Sequence, residues 1–473
     1  MSPEPTFFFY DLETSGVEFD TQRIMQFAGI RTNINLEPIG EPVNILVKLA
    51  DDILPSPIAI AITGITPQQT KDGLTEAAFV ELLQTTICTP GTIMTGFNSV
   101  RFDDEFLRYT LYRNLSDPYS WAHAEGRSRW DLLDVVRMTR ALRPDGIKWG
   151  IDDEGDPINT LVSLSTTNNL LHAKAHDALS DVEALIAVSQ LIRAQQPKLF
   201  EYLLKLRSKH EVAAVIKPYA PDPFVYTSVM YGRTHQFTTV AIVIGEGEYG
   251  SSIVYDLRFD PTQFVGLTEN EICERLYSKT IDLDALGQTR PPIKTLHANR
   301  CPAVAPIGTL DAAAADRIEL NLATALGNLG KLRQSGLIPK LVAAANRQRE
   351  FPPRDNVDGA LYDGFMGDND KRQMVDIKKA TPQQLAHLKP RFSDKRLPEL
   401  FWRYRARNYP DSLSPDEQTQ WDIERAARLQ SGLQAFTEQF QEIQQSATPH
   451  QVLALEDLRL WVENVFPDDY SRE

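Results

Sequence analysis

Apolar positions along the first two hundred residues follow two different periods. Residues 7–12, Phe-Phe-Phe-Tyr-Asp-Leu, form an apolar run that ends among acids, and 24–32 and 43–49 are further short apolar runs. All three predict strands. Residues 75–86 space their apolar side chains as an amphipathic helix does, 92–97 reads as a short buried strand, and 103–114 and 130–142 predict further helices. The clearest helix spans 178–194, where Leu179, Val182, Leu185, Ile186, Val188 and Leu191 recur at helical spacing until Pro197 stops the run. Strands followed by helices, with at least one returning strand, predict a mixed α/β sheet.

The pattern changes near Pro197 and again after Pro218. Residues 224–257 alternate apolar and polar positions, with glycines between the runs, and predict a small β-rich domain. Helical runs follow at 311–334 and 338–348. The prolines of Glu350-Phe351-Pro352-Pro353-Arg354 disfavour continued helix. Beyond them the chain is helical and highly charged to its end. The expected domains are therefore 1–196, 197–350 and 354–473. No repeat or low-complexity tract interrupts them.

Composition is that of a globular protein, 42% hydrophobic and 24% charged, with no run long enough to span a bilayer. The N-terminus lacks the basic region and cleavage site of a secretory signal. Cys88, Cys273 and Cys301 are widely spaced, without metal-ligand pairing. These features make a reducing cytoplasm the expected location. The net charge of −15 runs against phosphate binding, but it is unevenly spread. Between Lys371 and Arg407 eleven basic residues meet three acidic ones, a net of +8 that leaves −23 for the rest. That segregation fits either a basic surface reserved for a polyanion or a solvated helix face.

Three acidic segments stand apart from this background. Asp11 and Glu13 stand at i and i+2 on the first strand and so project from the same face of the sheet. Clustered carboxylates suit hard divalent cations, although an isolated D-x-E commonly just marks a strand leaving the core. The run Gly96-Phe97-Asn98-Ser99-Val100-Arg101-Phe102-Asp103-Asp104 ends a strand and begins a helix. One of its two acids is expected to serve the helix dipole. In His176-Asp177-Ala178-Leu179-Ser180-Asp181, Asp177 is the expected N-cap, which leaves Asp181 free to face the other acids. Asp131 and Asp134 share a helical face and are expected to be structural or supporting.

The order D-x-E, F-D, H-x₄-D resembles the histidine-bearing branch of the DEDD exonuclease superfamily, which has a ribonuclease-H-like fold. That resemblance implies that Asp11, Glu13, Asp103 and Asp181 hold two Mg²⁺ ions, which Mn²⁺ can replace, and that His176 is the general base. A metal pair suits phosphodiester hydrolysis, and a neutral histidine can accept a proton. Further stretches are similar to the exodeoxyribonuclease I family across essentially the whole chain. They include Ile62-Thr63-Gly64-Ile65-Thr66-Pro67, Ser128-Arg129-Trp130-Asp131, Ala141-Leu142-Arg143-Pro144, Leu361-Tyr362-Asp363-Gly364-Phe365 and Tyr404-Arg405-Ala406-Arg407-Asn408. The similarity implies a nuclease domain, an SH3-like β-rich domain and an all-helical C-terminal domain. It also implies a monomer that degrades single-stranded DNA from the 3′ end to 5′-mononucleotides in repair and recombination.

Single strands are held by cations along the backbone and by aromatic faces for the bases. Arg108, Tyr119 and Arg137, near the acidic motifs, are the candidates for the 3′-terminal nucleotides, with Glu13 beside them. Tyr202, Lys209, Lys294, Asn299, Tyr362 and Phe365 match the family along its groove. Tyr362 and Phe365, three apart, would share a face if helical. In Asn159-Thr160-Leu161 the family's arginine is replaced by Thr160. Arg143, Leu326 and Arg333 match the surface on which the family docks the acidic C-terminal tail of single-stranded DNA-binding protein, but Pro306 and Asp311 depart from it. An exoribonuclease and a catalytically idle single-strand-binding scaffold are the competing readings. The basic extension counts against the first and the full set of catalytic residues against the second.

Overall fold

The structure is a computed structural model that describes residues 4–170, 177–347, 354 and 356–467. It divides into two compact units: Met1–Ser128 with His172–Glu183 and Pro352–Glu473, and Arg129–Leu171 with Ala184–Phe351.

The first unit is built on the strands β1 (Thr6–Thr14), β2 (Ile24–Thr32), β3 (Val43–Leu46) and β4 (Thr92–Gly96). The strand β5 (Ser128–Asp131) begins where the chain leaves this unit. Within the unit β1 lies between β2 and β4, antiparallel to β2 and parallel to β4, and β3 lies beyond β2. The Phe-Phe-Phe-Tyr run lies in the centre of the sheet, where both faces are covered. All four side chains are buried accordingly.

Two expected elements shift for identifiable reasons. The helix expected at 75–86 runs Glu76–Leu82 and then widens to a π turn at Leu83–Ile87. There Arg31 donates to the carbonyls of Thr86 (3.2 Å) and Ile87 (2.6 Å). The residues expected to open a helix at 130 instead complete β5. The helix is Leu132–Leu142, with Asp131 accepting from the amide of Leu133 (2.9 Å).

The C-terminal helices Asp368–Lys379, Leu397–Asn408, Pro415–Gln444 and Pro449–Val465 complete the same unit. Leu361, Met374, Ile377 and Leu400 pack with Tyr109 and Tyr112 of the helix Asp103–Arg113. Ala454, Leu458 and Val462 pack on Met25 and Ile60. Between these apolar contacts lies a buried ionic network. Asp358 pairs with Arg407 (2.6 Å), Arg428 (3.0 Å), Arg403 (3.4 Å) and Arg23 (3.6 Å). Asp52 pairs with Arg407 (2.7 Å), and Glu76 with Arg113 (3.2 Å) and Arg23 (3.7 Å).

This network revises the reading of the basic stretch. Arg403, Arg405 and Arg407, only 5–8% exposed, are consumed by internal pairs. Lys371, Arg372, Lys378, Lys379, Lys389, Arg391 and Lys395 stay exposed and keep a basic surface.

The second unit contains an antiparallel five-stranded sheet. Its order is Ile293–Leu296, Ser252–Asp256, Thr238–Glu246, Phe224–Thr227, Ala303–Pro306. The first and last of these strands lie outside the alternating run that signalled a β domain. The helix expected at 311–334 is two, Ala312–Arg317 and Leu322–Gln334. Glu319 adopts a left-handed φ of 51°, and Asn321 caps the second helix through the amide of Thr324 (2.9 Å).

Neighbouring arginines hold the carboxyls of Asp358, Asp52 and Glu76 below their ordinary range despite burial. Depressed folded-state values mean that this stabilisation is complete above the ordinary 3.8–4.5 and is lost as pH falls through the depressed values. Replacing Asp358→Ala leaves buried guanidinium groups without their shared counter-charge and should cost about 3–5 kcal/mol. Urea unfolding followed by tryptophan fluorescence measures that loss; unchanged stability would refute the role given to the network.

Candidate active site

Strand β1 places two carboxylates on one face. Asp11 lies opposite Ala28 and Glu13 opposite Gln26, and the register slips immediately after Glu13. Such an irregularity bends a strand and re-aims the residues beside it. Asp181 comes from the first turn of the helix Ala178–Gln195. One oxygen from each of Asp11, Glu13 and Asp181 lies within 4.8 Å of the others, the one such group of three among the described residues. Side chains 170 residues apart in the chain therefore converge on a single point.

The third acidic segment enters from β4. Its last residue, Gly96, passes so close to the following turn that an added Cβ would lie 2.6 Å from the Cβ of Ser99. Asn98 takes a left-handed φ of 63°, and the chain then turns into the helix Asp103–Arg113. The two acids at its start divide the work. The Tyr10 hydroxyl donates to Asp104 (2.6 Å), tying the helix start to β1 in a structural role. Asp103 is the first helical residue, 5% exposed, but its carboxylate stands outside the group of three. Asp177 accepts from the Ser180 hydroxyl (2.9 Å) at the start of the other helix. His176 lies outside the described residues.

Burial and mutual repulsion dominate the electrostatics of the group. Burial, then the charge of Asp181, pushes Asp11 up to about 8. Burial, then Asp11, Asp181 and Asp177, pushes Glu13 up to about 9. Full ionisation there is costly without a compensating cation, and closely spaced carboxylate oxygens are what a hard divalent ion binds. The donor set therefore fits a metal.

Four strand-binding candidates meet in the same unit. The Arg108 guanidinium lies 5.9 Å from the Tyr119 ring centre, and Tyr119 lies 6.1 Å from Phe365. Arg108 also donates to the Tyr362 hydroxyl (3.3 Å). Tyr362 is 52% exposed and Phe365 86%. The two do not share a helix face: Tyr362 belongs to the 3₁₀ stretch Val357–Asp363 and Phe365 lies beyond it. Reasoning from sequence missed Glu105, which binds both Arg108 and Tyr362. Its only sequence signal is the i,i+3 spacing from Arg108.

The remaining candidates lie in the second unit. Arg137 pairs with Asp134 (2.8 Å) and lies over Phe237 (4.5 Å). Thr160 caps the helix Leu161–Thr167 through the amide of Ser163 (3.3 Å). Tyr202 donates to the carbonyl of Val304 (3.1 Å). Lys209 opens the helix Lys209–Ile216 and is exposed. Lys294 bonds Ser228 and lies over Tyr226 (4.7 Å). The Asn299 carbonyl accepts from Arg129 (2.9 Å). Of the partner-surface candidates, Leu326 is 44% exposed and Arg333 donates to the carbonyl of Pro221 (3.2 Å). Arg143 is paired with Asp311 (3.2 Å).

Family models for an exonuclease, an Exonuclease I SH3-like domain and an Exonuclease I C-terminal domain match residues 8–189, 207–346 and 355–465. Exodeoxyribonuclease I of Haemophilus influenzae is 38% identical over 93% of each chain. The chain belongs to the exodeoxyribonuclease I family. Among solved structures, Escherichia coli exonuclease I in complex with a dA16 oligonucleotide is similar at a TM-score of 0.93 and 38% identity, covering 98% of this chain and 100% of that one. The zinc-bound form of the E. coli exonuclease I complex with single-stranded DNA gives 0.93 and 37% over the same shares. Exodeoxyribonuclease I architecture accounts for the α/β nuclease sheet, the SH3-like sheet and the C-terminal helices. No helix among the described residues is long and apolar enough to cross a membrane.

Raised carboxyl values give a sign opposite to that of the ionic network. Without metal, the contribution of Asp11 and Glu13 is fully present below their ordinary 3.8–4.5 and is lost as pH rises through about 8 and 9. In chelator, Asp11→Asn should therefore raise the melting temperature at about pH 9, with the gain shrinking towards about pH 5. Added divalent cation should stabilise the unsubstituted protein most at the alkaline end. A pH-independent difference would contradict the electrostatic account.

Proposed function

We propose that the protein is a magnesium-dependent exonuclease that removes nucleotides from the 3′ end of single-stranded DNA and releases 5′-mononucleotides. The convergence of Asp11, Glu13 and Asp181 carries this reading, supported by the full-length likeness to exodeoxyribonuclease I. Asp11, Glu13, Asp103 and Asp181 would hold two Mg²⁺ ions, with Mn²⁺ able to replace them. When bound, such ions activate water and neutralise charge developing on the phosphate and the leaving oxygen. Asp103 begins the helix that also carries Arg108, so cation ligation and the grip on the strand share one element. His176 takes the proton of the attacking water on a ring nitrogen.

The exposed rings of Tyr362 and Phe365 and the cation of Arg108 supply stacking and phosphate contacts without reading sequence. Single-stranded DNA bound to the E. coli structures supports this substrate class. Along the chain we assign 1–196 to the nuclease domain, 197–350 to the SH3-like domain and 354–473 to the helical domain. Arg137, Thr160, Tyr202, Lys209, Lys294 and Asn299 are further strand-binding residues in this reading.

Arg143, Leu326 and Arg333 form the docking surface for the acidic C-terminal tail of single-stranded DNA-binding protein. The ion pair of Arg143 with Asp311 makes that surface less receptive to an acidic ligand. Three free cysteines support a cytoplasmic setting, where the enzyme acts as a monomer in repair and recombination.

Shortening of 5′-labelled DNA and RNA strands of the same sequence, with Mg²⁺, together with assay of the released mononucleotides, tests the assignment. DNA should shorten from its 3′ end and RNA should persist. Asp11→Ala should abolish release, and His176→Ala should slow it about 10²–10⁴-fold. Preferential loss of RNA, or turnover undiminished in Asp11→Ala, would overturn the proposal.

A further inference from the structure

The helix Asp103–Arg113 holds, two residues after Asp103, a carboxylate that takes no part in the group of three. Glu105 is 8% exposed and each of its oxygens has its own partner. Oε1 accepts from the Arg108 guanidinium at 2.5 Å. Oε2 accepts from the Tyr362 hydroxyl. Arg108 also donates to that hydroxyl, closing a three-membered ring of contacts between the helix and the stretch Val357–Asp363. Burial, and then the charge of Glu105, push the phenol of Tyr362 well above its ordinary range, so the hydroxyl remains a donor at any working pH.

The ring of contacts fixes surfaces that face solvent. Tyr109 meets the Tyr362 ring edge-on at 5.9 Å, leaving Tyr362 half exposed. Arg108, with one nitrogen held by Glu105, lies over Tyr119, which in turn neighbours the exposed Phe365. The Arg108 guanidinium, itself 12% exposed, thus links the exposed Tyr362 to Tyr119 and the exposed Phe365 in one cation–aromatic cluster. Free arginine and tyrosine side chains would lose rotamer entropy on binding a strand. Prior fixation by a buried carboxylate removes part of that cost.

We infer that Glu105 is a positioning residue: it clamps Arg108 and Tyr362 into a preformed platform for the bases and phosphates of the strand, acting on binding and not on bond cleavage. The inference rests on the reading of the protein as a single-strand exonuclease. A surface role alone does not account for Glu105, because a solvated helix acid would not be buried with both oxygens engaged by groups from two segments.

Steady-state kinetics on single-stranded DNA test this, with the unsubstituted enzyme as reference. Its failure to release nucleotides would overturn the functional reading itself and leave Glu105 without a reaction to serve. With that activity in hand, Glu105→Ala should raise KM about fivefold or more while kcat stays within about twofold. Tyr362→Phe, which keeps the ring and removes the hydroxyl, should raise KM less. The double variant should be no worse than Glu105→Ala, because the hydroxyl acts through Glu105. Glu105→Gln retains an acceptor oxygen and should recover much of the lost affinity. An unchanged KM in Glu105→Ala, a loss confined to kcat, or additive effects in the double variant would each refute the inference. A raised KM accompanied by a lowered melting temperature, without rescue by Glu105→Gln, would assign Glu105 to folding and refute it as well.

Discussion

Carboxylates from separate parts of the chain are held together against their own repulsion, and the rest of the first unit can be understood as what makes that possible. Burial and mutual charge push Asp11 and Glu13 far above the ordinary carboxyl range. A fold tolerates such crowding only where surrounding packing supplies more than it costs. Here the support is the central strand β1, buried on both faces, with Tyr10 fastening the Asp103 helix through Asp104. The same crowding is what a divalent cation relieves, so an unfavourable arrangement in the isolated protein becomes a binding site.

A second set of buried charges has the opposite character. Asp358, Asp52 and Glu76 each have more than one arginine partner, and their carboxyls are depressed where those of Asp11 and Glu13 are raised. The network joins Arg23, just before β2, to Arg407 and Arg428 of the C-terminal helices. Residues of the C-terminal segment, Tyr362 and Phe365, thereby come to lie beside Arg108 and Tyr119 of the nuclease sheet's own helix. The helical domain is thus part of the nuclease unit, supplying it with aromatic surface.

Much of this was legible in the sequence because it follows from local periodicity. The i, i+2 spacing of Asp11 and Glu13 on a strand fixed their common face, and the helical stripe after Ala178 located Asp181 one turn in. Residue pattern alone did not separate Asp103 from Asp104, and only the family resemblance singled out Asp103; the bond that occupies Asp104 comes from Tyr10 on another strand. The basic stretch 371–407 misled in part: charge is visible in a sequence, but its neutralisation by Asp358, Asp52 and Glu417 is a tertiary fact. Short strands such as Ile293–Leu296 and Ala303–Pro306 carry too few residues to declare a period. Beyond its i,i+3 spacing from Arg108, Glu105 gave no signal, since its other partner Tyr362 lies 257 residues away.

Anomalous diffraction from crystals soaked in Mn²⁺ shows whether these carboxylates share metal ions. The account predicts metal density bounded by Asp11, Glu13 and Asp181, with the Asp103 carboxylate drawn in to complete a pair of ions. Absence of metal among these three carboxylates, or ions bound only elsewhere, would contradict it.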